Sequence, residues 1–236
     1  MYQKYYSLKE RPFNVTSDPA FFFLSLSHQE ALSHLTYGIN ERKGITVISG
    51  EIGSGKTTLC RVFLNQSKQK KIKTAFIINP NFSTKELLEA ITADFGILTI
   101  RKTKLSLVEQ LNRFLLEEAS QGNNAVLLVD EAQNLKPSQL EEIRLLSNLE
   151  TDKEKLLQIV LVGQPDLKLK LNLESLTQLQ QRVAVRYHLK PLEKEEIKKY
   201  IEHRLKIAGS DLNKIPFREE ALEIIYKFSG AVPRLI

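Results

Sequence analysis

The stretch that most limits what this chain can become is Ile45-Thr-Val-Ile-Ser-Gly50 running into Glu51-Ile-Gly-Ser-Gly-Lys-Thr-Thr58. A β-branched apolar run reads as a buried strand. It leads into the pattern G-x-x-x-x-G-K-[ST], filled by Gly50, Gly55, Lys56 and Thr57. Apolar residues then return at helical spacing, at Leu59, Val62 and Phe63. Strand, glycine loop and helix together put a helix N-terminus against an anion. Glycines let the backbone curl so that several N–H groups converge, which suits a phosphate. Lys56 adds a point charge for the outer phosphates, and the Thr57 hydroxyl suits Mg²⁺. The candidate nucleotide contacts are therefore Gly50, Glu51, Ile52, Gly53, Ser54, Gly55, Lys56, Thr57 and Thr58. An ordinary glycine-rich turn is the plain alternative.

The rest of the chain alternates strand and helix. Strands are predicted at Ile45–Ser49, Thr74–Asn79, Ala125–Asp130, Leu157–Gly163 and Val183–Leu189. Helices are predicted at Thr58–Lys68, Ser83–Phe95, Leu105–Gln121, Ser138–Thr151 and Glu174–Arg182. Ser83-Thr-Lys-Glu86 has the form of a capping box, and Pro137 suits a first helical turn. Five mostly apolar strands separated by helices predict a parallel sheet covered on both faces, an α/β fold in three layers. After Pro191 the strands stop. Glu193–Ala208 and Glu219–Phe228 read as amphipathic helices, and Ala231 onward reads as the start of a third. The expected organisation is an N-terminal lead-in and helix over 1–43, an α/β core over 44–191, and the beginning of a small helical lid over 192–236. The incomplete lid reads as an excerpt of something longer.

A phosphate loop alone fits kinases, GTPases and ATPases. The discriminating stretch is Ala125-Val-Leu-Leu-Val-Asp130-Glu131. It describes a buried strand with carboxylates at its C-terminal tip, where open α/β sheets bind ligands. Asp130 is the candidate Mg²⁺ carboxylate, through water, and Glu131 the residue that activates an attacking water. A transfer enzyme has no need of the adjacent glutamate, so hydrolysis is favoured. Gln164, closing Leu161-Val-Gly-Gln, is placed to reach a γ-phosphate or water, with an exposed loop glutamine as the alternative. Arg182 and Arg234 are candidate cations for the developing charge, each also readable as a surface ion pair.

Net charge is only +6, from 34 basic and 28 acidic residues. The densest basic run, Lys68 to Lys73, suits a solvated helix end, with nucleic-acid contact as the lesser reading. The chain has no tryptophan and no aromatic-basic alternation that would suggest a base-stacking platform. No apolar run approaches the ~20 residues that span a bilayer, and the first residues lack a signal-peptide core. The single cysteine, Cys60, excludes an internal disulfide and suits a reducing cytoplasm; it reads as a packed side chain.

Taken together, these residues resemble an AAA+ ATPase, of the P-loop class with a catalytic glutamate, and more narrowly the general secretion pathway protein A type. The resemblance is carried by Arg11-Pro-Phe-Asn-Val-Thr-Ser-Asp-Pro19, His28-Gln-Glu-Ala31, Tyr37-Gly-Ile39, Gly50–Arg61 and Asp130-Glu-Ala-Gln-Asn-Leu135. Ile143–Thr151, Gln158–Pro165 and Pro233-Arg-Leu-Ile236 extend it over nearly the whole chain. It implies ATP and Mg²⁺ as cofactors, with Gln164 and Arg234 as sensors. It also implies Arg182 as a finger offered to a neighbouring subunit of a ring or ATP-dependent oligomer, and Pro12 and Phe13 beside the adenine. Many such proteins carry Asn, Ser or Thr where Gln164 stands. Family members continue into a membrane segment and a peptidoglycan-binding part, which transfer here only if this is a cytoplasmic excerpt, at the inner-membrane face. The implied function is ATP-driven assembly or regulation of an envelope secretion or pilus system. The alternatives are a DNA-associated regulator of the transposition target-selection type and a nucleotide-gated binding module with little turnover.

Overall fold

The computed structural model describes residues 2–14, 18–78, 80, 82–99, 102–210 and 217–236. Asn79 of the second predicted strand, and Val15, Thr16 and Ser17 of the N-terminal block, lie outside the described residues. Strands β1 (Ile45–Gly50), β2 (Ile72–Ile77), β3 (Asn124–Val129), β4 (Leu157–Gly163) and β5 (Val183–Leu189) form one parallel sheet in the order β2-β3-β4-β1-β5. Helices are α1 (Tyr2–Tyr5), α2 (Leu26–Asn40), α3 (Lys56–Ser67), α4 (Thr84–Asp94), α5 (Lys104–Ser120) and α6 (Pro137–Leu146), then α7 (Asp166–Leu171), α8 (Thr177–Gln181), α9 (Lys194–Ile207) and α10 (Glu219–Ser229).

Alternation along the strands divides the core in two. Ala125, Leu127 and Val129 of β3, with Leu157, Ile159 and Leu161 of β4, face α4, α5 and α6. Val126, Leu128, Val160 and Val162 face the other way, onto Ala31, Leu35 and Ile39 of α2 and Leu59, Cys60 and Phe63 of α3. Every residue of β1 is buried, as a central parallel strand covered on both faces requires. A third cluster, built on Leu192, Ile197, Tyr200, Ile201, Leu205 and Leu222, joins α9 to α10 and receives Phe23 from the N-terminal segment.

The sheet order positions the site. The chain leaves β1 toward β2 at one edge and leaves β4 for β5 at the other, so β1 and β4 flank the switch point where such sheets open a crevice at their C-terminal ends.

α3 begins two residues before its expected start, and α7 has no predicted counterpart. The helix expected over Glu174–Arg182 is a 3₁₀ turn, Glu174–Leu176, followed by α8. Three further elements differ. β2 starts two residues earlier than expected because Ile72 and Lys73 already pair with Asn124 and Ala125. The helix expected to reach Thr151 stops at Leu146. Beyond it Leu156 N–H donates to Leu149 O (3.0 Å) and Thr151 N–H to Glu154 O (2.9 Å), a hairpin-like turn that replaces helical bonds. No helix begins at Ala231: Gly230 and Ala231 take φ of 56° and 59°, and residues 231–236 run through turns.

Candidate nucleotide site

Between β1 and α3 the loop turns through Gly53 and Gly55, whose φ values of 83° and 95° are left-handed and disfavour any side chain. Its carbonyls are engaged by donors around it. Lys56 Nζ donates to Gly50 O (2.9 Å) and Glu51 O (2.8 Å). Arg234 N–H donates to Gly53 O (3.2 Å), and His28 Nε2 is 2.9 Å from Ser54 O. The Ser54 N–H is itself used within the loop, donating to Glu51 O (3.1 Å), while the Gly55 amide, opposite the tied Ser54 carbonyl, and the α3 N-terminus suit an anion. The Ser54 hydroxyl is buried with no recorded partner. Lys56 is itself buried, and that burial pushes its ammonium down from the usual lysine range, against the opposing pull of Glu131 and Asp130.

At the tip of β3 Asp130 is buried, its Oδ2 accepting from Thr57 Oγ1 (2.5 Å) and its Oδ1 from Glu131 N–H (2.9 Å). Burial pushes its carboxyl up from the ordinary range, and the Thr57 and Glu131 bonds work against that. Glu131 adopts φ 52°, a left-handed conformation uncommon outside glycine and asparagine. Its Oε2 accepts from the Gln133 amide and from Gln164 Nε2 (3.3 Å), while Gln133 Oε1 accepts Gln164 N–H (3.0 Å).

A cleft of about 440 Å³ opens over these groups. Phe13, Ile52, Gly53, Gly55, Lys56, Thr57, Thr58, Glu131, Gln164 and Arg234 line it. Gly50, Glu51, Ser54 and Asp130 stand behind as the loop's frame, and Pro12 lies beside, its carbonyl accepting from Arg204 Nε. Arg182 lies elsewhere. At the α8 C-terminus its guanidinium donates to Asn148 Oδ1 and to Ser147 Oγ (3.4 Å), away from the cleft. Arg234 enters from a turn instead of the helix start expected for it.

Sequence reasoning did not single out Gln133, Arg204 or the bonding of His28. The Arg204 guanidinium lies 5.0 Å from the Phe21 ring, 5.7 Å from Tyr200 and 6.0 Å from Phe13, and its Nη2 reaches Asn14 O (3.3 Å). Only long-range contacts show this, since Arg204 sits 190 residues from Asn14. Gln133 was findable, two residues beyond Glu131 on the same tight turn.

The residues fit a nucleotide with Mg²⁺. Mg²⁺ keeps several waters and takes one or two protein oxygens beside phosphate. The Thr57 hydroxyl and Asp130 carboxylate offer that set, and the described residues hold no cluster of three or more His, Cys, Asp or Glu that would form a closed cage.

Comparison with known proteins gives these features a lineage. Over 237 aligned residues, covering all of this chain and 43% of the relative, it is 42% identical to General secretion pathway protein A of Aeromonas hydrophila. The chain thus spans less than half the length of that curated relative. Cdc6p from Pyrobaculum aerophilum superposes with a TM-score of 0.64 at 19% identity, over 89% of this chain and 58% of that one. The Aeropyrum pernix ORC1 protein, solved in complex with DNA, gives 0.64 at 15% identity, over 96% and 62%. At these identities the likeness is one of fold, that of the P-loop AAA+ ATPases. The family model described as an AAA domain matches residues 39–171, from the end of α2 through α7 and across the whole cleft frame, and the chain belongs to that family.

Proposed function

We propose that this chain binds ATP with Mg²⁺ in the Gly50–Thr58 cleft and hydrolyses it between copies of itself, in the service of an envelope secretion or pilus system. The observation that carries the hydrolytic half is the meeting of the Thr57–Asp130 pair, Lys56 and the Glu131 carboxylate at one cleft. When bound, Mg²⁺ neutralises charge building on the phosphates. Lys56 holds the outer phosphates, Thr57 and Asp130 hold the metal, and Glu131 takes the proton of the attacking water. Gln164 orients that water or the γ-phosphate, and Arg234 reports on nucleotide from the lid side. Pro12 and Phe13 border the base, and Arg182 serves the neighbouring copy. In this reading 44–191 is the catalytic core, 192–236 the start of the lid, and 1–43 an entry segment and helix packed near the nucleotide.

The secretion half rests on the 42% identity to General secretion pathway protein A along the full chain. It implies work at the cytoplasmic face of the inner membrane as part of a longer protein. No helix among the described residues is long and apolar enough to cross a membrane.

Phosphate release and ATP binding test the enzyme. Glu131→Gln is expected to keep ATP binding and lose on the order of 10² or more in turnover, since the water loses its proton acceptor. Lys56→Ala is expected to weaken ATP binding by about tenfold or more, since a buried cation is removed from the phosphates. Turnover in Glu131→Gln within about twofold of the parent overturns the catalytic role. Normal export in cells carrying that variant removes the secretion half.

A further inference from the structure

Each carbonyl tie on the phosphate loop has a source, and one of them lies in α2, outside the motifs that define the site. His28 is buried, with its ring edge-on to Phe22 at 4.9 Å between centroids. Its Nε2 lies 2.9 Å from Ser54 O and its Nδ1 2.6 Å from Ser25 Oγ. Ser54 O can only accept, so Nε2 must carry the hydrogen. The Ser25 hydroxyl then donates to Nδ1 while accepting His28 N–H at 3.3 Å, as the N-cap of α2. All partners are satisfied by one neutral tautomer. Burial also pulls the imidazole below the ordinary histidine range. The fit is close: a Cβ on Gly55 would stand 2.8 Å from His28 Nε2, so ring and loop touch without room for another atom.

The first turn of α2 is a junction as well as a cap. Leu26 N–H donates to Glu196 Oε1 of α9 (2.9 Å), and Lys190 N–H donates to Ser27 Oγ (3.0 Å). Leu26, Ser27 and His28 thus bond the first helix of the C-terminal cluster, the end of β5 and the phosphate loop.

We propose that His28, which itself lines the cleft, is a positioning residue for the phosphate loop: its neutral Nε2–H fixes the Ser54 carbonyl and so holds the Gly55 amide of the same peptide toward the anion. The inference rests on reading Gly50–Thr58 as a phosphate cradle, not on turnover. It explains why a histidine, with two nitrogens on opposite sides of a rigid ring, stands at this place. Loss of the tie frees the carbonyl to rotate inward, where its partial negative charge opposes phosphate.

The test uses two substitutions that keep different halves of the ring's chemistry. His28→Gln can carry an amide N–H to about the Nε2 position, whereas His28→Asn reaches only as far as Nδ1. Both lose the ring packing on Phe22, so a purely structural role ranks them together in thermal stability and in every affinity. The positioning role separates them. Affinity for Mg-ADP and for inorganic pyrophosphate is expected to fall about tenfold in His28→Asn, and to stay within about threefold of the parent in His28→Gln. Affinity for adenosine, which carries no phosphate, is expected to match in the two. Equal loss of ADP affinity in both variants, or adenosine affinity that falls in parallel, overturns the proposal. Nitrogen-15 shifts of the parent's imidazole give a second readout that needs no ligand: the Nε2–H neutral tautomer is expected at pH 7, and the Nδ1–H tautomer or a charged ring overturns it. If the tautomer is as expected and the parent binds pyrophosphate without hydrolysing ATP, the enzymatic reading fails while this one stands.

Discussion

Glu131 carries its carboxylate on a left-handed backbone, φ 52°, and both features trace to one tight turn after β3. A non-glycine residue in that region stores on the order of 1 kcal/mol or more, which surrounding contacts must hold in place. Here the holders are the side-chain amides of Gln133 and Gln164, both on Oε2, and Lys170, whose ammonium reaches Leu135 O (2.9 Å) and Gln133 O. Both amides hold Oε2, so if Glu131 is the proposed base its Oε1 is the oxygen that would meet the water. Gln133→Ala removes the closer of the two amides without touching the phosphate loop. It is expected to lower kcat by about 3- to 10-fold with little change in KM, because a loosened base costs transition-state contact and not ground-state binding. Steady-state ATPase kinetics check this. A KM that rises with kcat unchanged would put Gln133 in substrate binding instead.

At the scale of elements, local chemistry did most of the placing, and α4 shows it cleanly. Ser83 Oγ accepts Glu86 N–H (3.2 Å) and Glu86 Oε2 accepts Ser83 N–H (2.6 Å), the reciprocal cap that Ser-x-x-Glu announces. Ser83→Ala is expected to cost about 1 kcal/mol, lowering the melting temperature by about 2–4 °C in a chain of this size. Calorimetry reads it, and an unchanged midpoint would mean the α4 cap adds nothing. The same kind of signal made β4 legible to the residue, as an apolar run bounded by polar turns, and β5 too, whose Val183, Val185, Tyr187 and Leu189 alternate with other residues. Where tertiary bonds override local pattern, reading the sequence fell short. The helix expected to run to Thr151 ends at Leu146, since the Ser147 hydroxyl turns back to Arg144 O (2.7 Å) and the next residues pair across a turn. The stretch after Ala231 looked like a helix start, yet successive left-handed residues at Gly230 and Ala231 bend it so that Arg234 N–H meets Gly53 O. In the site, the loop and the Asp130–Glu131 pair were legible because their chemistry lies in contiguous residues. The His28 and Arg204 contacts were not, because each depends on where folding brings a distant partner, whereas the Gln133–Glu131 bond is local and within reach of the sequence.

The whole molecule poses the question of what completes the cleft. Two cationic residues touch the loop: Lys56 through its ammonium, and Arg234 through its backbone N–H on Gly53 O. Arg182 is held apart, at the end of α8, by Asn148 and Ser147 in the turn after α6. Those hydrogen-bond partners are neutral acceptors, and the carboxylates of Glu141 and Glu150 are near enough to feel the guanidinium's charge, so moving it to a phosphate exchanges one set of anionic neighbours for another. If Arg182 serves the cleft of an adjacent copy, turnover per chain should rise with protein concentration, because a lone copy lacks that charge. Arg182→Ala should bind ATP as the parent does and lose turnover by a factor on the order of 10². Mixing Arg182→Ala with Glu131→Gln then separates the two geometries. Each is nearly inactive alone, but a mixed interface sets the intact Glu131 of one copy against the intact Arg182 of the other, and activity should return as the two are titrated together. Mixing that restores nothing, while the variants still co-assemble by light scattering, would confine Arg182 to its own chain. Arg186, whose guanidinium donates to Gln180 O (3.0 Å), would then be the cation to replace next.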